Sequence, residues 1–103
     1  MQKIEARDFT AKTAWAAMDI ADIEGATVRL HWTDQPYVWH VNEGEEVFVV
    51  LDGSVAMKFR DASGEHEVPL MPGDIFHAEN GDEHLAVPNG VARILVIEKR
   101  GSV

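Results

Sequence analysis

The sequence predicts an all-β domain, a sandwich or barrel of short antiparallel strands. Three observations carry this. Polar and apolar residues alternate in short runs through most of the chain. Turn signals built from Gly, Pro, Asn and Asp separate the runs. The runs recur at spacings of roughly 8 to 12 residues, as strands of sandwiches and barrels do.

The elements follow in order. Residues 1–25 read as an N-terminal segment that packs on the barrel or on a partner. Within it, 11–24 (AKTAWAAMDIADIE) predicts a helix, because Ala11, Trp15 and Met18 share one helical face. Thr10 is placed to cap its start and Gly25 to end it. The stretch MDIADI alternates, so a strand is the other reading there. Residues 26–100 then form the barrel. TVRLHW puts Val28, Leu30 and Trp32 on one side and Arg29 and His31 on the other. PYVWHV is β-branched and aromatic. EEVFVVL sets Glu46, Phe48 and Val50 on one face and Val47, Val49 and Leu51 on the other. SVAMKFR, GEHEVPL, GDIFHA, EHLAVP and VARILVIEK complete the set. Asp52-Gly53, Pro72-Gly73-Asp74, Asn80-Gly81-Asp82 and Pro88-Asn89-Gly90 supply the turns.

Composition narrows the functional classes. At 103 residues the chain fits one domain. Nine Lys and Arg against 18 Asp and Glu give a net charge of −9, which repels phosphate backbones and argues against a nucleic-acid partner. The chain has no cysteine, so disulfides and thiolate metal sites are ruled out. No run approaches the ~20 apolar residues of a membrane span. The opening MQKIEARDFT shows no apolar stretch of the kind a secretory signal needs. The expectation is a cytoplasmic protein.

One segment carries chemistry. In WHVNEGEEVFVVLDG, His40 and Asn42 project from the same strand face, and Glu46 follows after three intervening residues. If Phe48 and Val50 point into the barrel, so does Glu46. A carboxylate there must be paired, protonated or metal-bound. The second half offers a matching piece: Pro72-Gly73-Asp74, a strand, then Gly81 and His84.

These two segments, in this order, resemble the cupin superfamily and its small single-domain members. The family's first motif runs histidine, histidine two places on, glutamate, then glycine. His40, Asn42, Glu46 and Gly53 fall in register with it, with Asn42 where the second histidine stands. Gly73-Asp74 and Gly81-x-x-His84 match the second motif, with Glu79 in place of a proline. The resemblance implies an antiparallel jelly-roll β-barrel with a divalent metal inside it. Carried over residue by residue, it makes His40, Glu46 and His84 the metal ligands, with Asn42 at the position of a further ligand; His31, on the strand before the motif, is a further ligand or a pocket residue on its own placement.

Two imidazoles and a carboxylate suit iron, manganese, nickel or zinc and leave positions open for a ligand. An asparagine carbonyl is a weaker donor than imidazole, so affinity falls relative to a site with three histidines. His77 reads as an acid/base, since imidazole titrates near neutral pH, and Trp32 and Phe48 as substrate contacts. Fold decides activity poorly. One reading is a metal-dependent enzyme, a dioxygenase or isomerase, acting on a small polar metabolite. The alternative is a non-catalytic binder of a small molecule with a degenerate or empty metal site. A metal-free epimerase working through a histidine and the single tyrosine, Tyr37, ranks third. The uncovered Val47, Val49 and Leu51 face predicts a homodimer.

Overall fold

The structure is a computed structural model and describes residues 1–102. Strands β1 (Ala16–Ile23), β2 (Ala26–Thr33), β3 (His40–Val41), β4 (Glu46–Asp52), β5 (Val55–Asp61), β6 (Gly64–Leu70), β7 (Ile75–Ala78), β8 (Glu83–Pro88) and β9 (Ala92–Lys99) account for most of it. They form two antiparallel sheets. The larger has the order β1-β2-β9-β4-β7, the smaller β3-β8-β5-β6. The strand spacing anticipated from the sequence is thus realised as a barrel of two facing sheets.

Period-two patterning decides what faces inward. Along β4, Glu46, Phe48 and Val50 are buried, while Val47 and Val49 are only partly covered and Leu51 is exposed. Along β9, Ala92, Ile94 and Val96 turn inward in the same way. They meet Val55 and Met57 of β5, Leu70 of β6 and Ala86 of β8 to make the core. Each fully buried aliphatic side chain of this kind contributes roughly 1.5–3 kcal/mol. Polar residues fill the outward positions of the smaller sheet, as at Lys58, Arg60, Glu65 and Glu67. Pro69 lies on β6, which is an edge strand and can spare the missing N–H.

The N-terminal segment departs from expectation. The helix predicted over 11–24 is absent. Its second half is the edge strand β1, paired to β2 from Ala16↔Trp32 to Ile23↔Ala26. The helical structure that does form is a single 3-10 turn earlier in the chain, Ala6–Asp8. Two backbone features explain the change. Trp15 adopts φ 62°, which no right-handed helix can continue through. Glu24 and Gly25, at φ 53° and 88°, form a two-residue hairpin turn, so Gly25 reverses the chain and does not cap a helix. A short helix over 11–24 would be marginal by itself, whereas pairing with β2 joins these residues to the larger sheet.

Residues 4–10 lie against the outer face of the larger sheet. Arg93 of β9 holds them there. Its Nε donates to the Phe9 carbonyl at 2.8 Å, its Nη2 to Thr10 Oγ1 at 3.3 Å and its Nη1 to Asp52 Oδ2 at 2.6 Å. On that face Leu30 is fully buried. Among the described residues, no helix is long and apolar enough to cross a membrane.

Candidate metal centre

The site lies at one end of the core and joins the two sheets. His40 and His84 come from the smaller sheet, where they are directly paired residues of β3 and β8. Glu46 comes from the larger sheet as the first residue of β4, in phase with Phe48 and Val50. One donor atom from each of the three lies within 4.8 Å of the others. The His84 Nε2 to Glu46 Oε1 distance is 2.9 Å, with the side chains only 2% and 7% exposed. His40 Nδ1 lies 2.9 Å from the Val38 carbonyl. A carbonyl can only accept, so Nδ1 carries the proton and Nε2 keeps its lone pair for the site.

A second carboxyl group stands beside the first. Glu98 is the residue directly opposite Glu46 across the β4–β9 ladder. Burial, the hydrogen bond to Glu46 and the Glu46 charge together push the Glu98 carboxyl up to about 8, against a smaller opposing pull from Arg29. Burial also acts to raise Glu46, but hydrogen bonds from His84 and Glu98 outweigh it and hold that carboxyl below its usual range. The pair therefore shares one proton at neutral pH, with the charge on Glu46. Glu98 belongs to neither of the two motifs. Its signal was the inward phase of Ala92, Ile94 and Val96, which places an acid two residues further along the same stripe.

A cavity of about 190 Å³ opens onto these groups. Phe48, Ala86 and Val96 form its apolar wall, and Trp15, Tyr37 and His31 an aromatic one. Trp15 stacks edge-on with Tyr37 at 5.2 Å, and its Nε1 donates to the Gln35 carbonyl at 2.9 Å. The His31 Nδ1 meets the Trp15 carbonyl at 3.1 Å, and burial lowers the His31 pKa below its ordinary value. The strained Trp15 backbone thus sits at the site itself.

The model of the family described as "Cupin domain" matches residues 26–98 of this chain, well over half of it. The chain belongs to the cupin family. Solved structures agree on the fold. A cupin-2 domain protein from Shewanella frigidimarina is 26% identical, with TM-score 0.77, over 87% of this chain and 85% of that one. A cupin superfamily protein from Desulfitobacterium hafniense is 18% identical, with TM-score 0.77, over 91% and 85%. Hydroxypropylphosphonic acid epoxidase from S. wedmorenis is 18% identical, with TM-score 0.63, over 72% of this cupin and 43% of that chain. HppE has been solved as an Fe(II) form with an alternative substrate. Among curated proteins, none matches this cupin significantly.

The cupin's other anticipated site residues divide. Phe48 and His31 line the cavity. Asn42 is buried at 3% exposure, and neither its Oδ1 nor its Nδ2 has a partner. Two expectations are corrected. His77 is exposed and pairs with Glu45 at 2.8 Å, on the face of β7 opposite the inward Phe76 and Ala78, so it cannot reach the cavity. Trp32 lies on the outer face of β2, opposite His31, at 8% exposure; it packs away from the site, and the aromatic contacts come from Trp15 and Tyr37. Alternation along β2 and β7 was legible, but its sign was not.

The residues present fit a divalent metal. Two imidazoles and a carboxylate offer ligand atoms within coordination reach, and one imidazole is already oriented through its second nitrogen.

Proposed function

We propose that this cupin holds a divalent transition metal, such as iron, manganese, nickel or zinc, on His40, Glu46 and His84 and acts on a small polar metabolite in the adjoining cavity, as a dioxygenase or an isomerase. The observation that carries this is the convergence of the three donor atoms within 4.8 Å, from three strands and both sheets. A bound metal supplies Lewis-acid polarisation of a ligand oxygen. The fold likeness to an epoxidase solved with Fe(II) supports the iron option. The chain's own groups bind and orient. His40 is aimed by the Val38 carbonyl, Phe48 and Val96 exclude water, and Glu98 holds a proton beside Glu46.

Metal analysis of protein purified without chelator or metal-affinity resin tests the reading. About one equivalent of a transition metal is expected, lost in His40→Ala and Glu46→Ala. Absence of metal under metal-replete expression would overturn it. A non-catalytic binder is the second reading, favoured by Asn42 standing where a third imidazole would strengthen the site. Metal-free protein that still binds a metabolite would select it.

A homodimer belongs to the same proposal. Leu51, Ile75 and Ile23 are exposed at 40%, 64% and 63%, and Leu51 and Ile75 lie on the outer face of the larger sheet near the partly covered Val47 and Val49. Sedimentation at micromolar protein should show a dimer, and a single monomer species would count against it.

A further inference from the structure

Two side chains at the cavity have bonding capacity that the protein leaves unused. Arg29 is on the inner side of β2, in phase with His31. It lines both the cavity beside the metal centre and a wider groove of about 550 Å³ at the β1 edge, which places it at the mouth between them. Asp19 takes its Nε at 2.7 Å, and that aspartate is itself 83% exposed. Among the described residues, the two Nη groups bond to no other side chain.

Glu98 is on the same wall. Arg29 pairs with Val96 and Thr27 with Glu98, so Arg29 and Glu98 are diagonal neighbours on adjacent strands. Glu98 also lines the cavity, and its hydrogen bond to Glu46 leaves further acceptor capacity on the carboxyl group. Arg29 is the one permanent cation among the described lining residues. A planar guanidinium fork presents parallel N–H groups to a carboxylate.

We propose that the Arg29–Glu98 wall makes this cavity a site for a small hydroxy acid, whose carboxylate is held by Arg29 and whose hydroxyl donates to the Glu98 carboxyl group. The proposal rests on the reading above in taking the same cavity as the ligand site. Size limits the class. A volume of about 190 Å³ equals roughly six waters at ~30 Å³ each, so acids near the size of lactate fit. Arg29 disfavours an ammonium ligand. The aromatic wall of Trp15 and Tyr37 accepts the carbon end.

Calorimetric titration of the metal-loaded protein with lactate, its neutral isostere lactamide, and propionate, which lacks the hydroxyl, tests this. Metal content is measured on the same samples. Lactate is expected to bind at least about tenfold more tightly than lactamide, because only the charged acid makes the charge-assisted pair. Arg29→Gln removes that difference and Arg29→Lys restores part of it. Asp19→Asn, which frees the guanidinium, leaves lactate binding intact or tightens it; a merely structural ion pair would instead make this variant weaken like Arg29→Gln. Glu98→Leu brings lactate and propionate together. Equal binding of lactate and lactamide, unchanged lactate binding in Arg29→Gln, or no lactate binding at all would each overturn the proposal. Protein that retains no metal yet binds lactate through Arg29 would overturn the metal reading and leave this one standing.

Discussion

His40 and His84 face each other across the β3–β8 ladder with ring centroids 4.3 Å apart and planes 59° to one another. Direct cross-strand pairing, not proximity in sequence, brings the two imidazoles together, and the inward phase of β4 delivers Glu46 to them from the opposite sheet.

Removing one of these donors should weaken metal binding more than removing a partner behind it. Loss of an orienting partner typically costs about 10–100-fold in affinity. His84→Ala is therefore expected to lose more than that, measured by competition with a chromophoric chelator. The thermal stabilisation that added metal gives the wild-type protein should vanish in the same variant.

The Glu46–Glu98 pair gives the metal-free protein a defined pH response. Glu98 titrates near 4.5 when unfolded and at about 8 when folded. Its contribution to stability is complete below the lower value and is lost as pH rises through the upper one. Urea midpoints should fall between pH 5 and 8, and Glu98→Gln should flatten that fall. Glu46 runs the other way. Its lowered pKa makes its contribution disappear as pH drops below the ordinary carboxylate range.

Gly53 turns β4 into β5 at φ 77°, and a Cβ there would collide with the Val91 carbonyl oxygen and approach the Ala92 Cα to 3.0 Å. Gly53→Ala should cost about 2–5 kcal/mol, the left-handed backbone term of ~1–2 plus ~1–3 for a backbone clash. Gly90→Ala, at φ 74° with open space around it, isolates the first term and should cost only about 1 kcal/mol. Chemical denaturation of the two variants side by side checks the difference.

Arg93→Ala should release the N-terminal segment, because the guanidinium bonds Phe9, Thr10 and Asp52 together. A loss of about 1–3 kcal/mol is expected for hydrogen bonds to a charged group. Hydrogen exchange should rise first over residues 4–15, with the core strands still protected.

Much of this fold was legible beforehand. The alternation of β2, β4 and β9 and the turn at Asp52-Gly53 are local features, and local chemistry sets them. His40, Glu46 and His84 stand out through their register with the cupin motifs, and Glu46 also because a buried carboxylate needs a partner; the fold brings the three together. The misses are of another kind. His77 and Trp32 sit in strands whose two faces were correctly separated, but which face turns inward is decided by sheets paired far along the chain. Trp15 and Glu98 were overlooked for the same reason: one enters the cavity through a strained backbone, the other through register with Glu46. The predicted helix over 11–24 failed because a short helix is marginal by itself, while an edge position beside β2 ties those residues to the sheet.

The order of the larger sheet bears on how the protein is made. Its central member, β9, is the last of the nine strands to leave the ribosome, and until it arrives β2 and β4 have no neighbour between them. A nascent chain halted before Ala92 presents two bare ladder edges, an invitation to sticky association. Completion of the barrel must therefore await synthesis of the final strand, and both carboxylates of the cavity first meet at that moment.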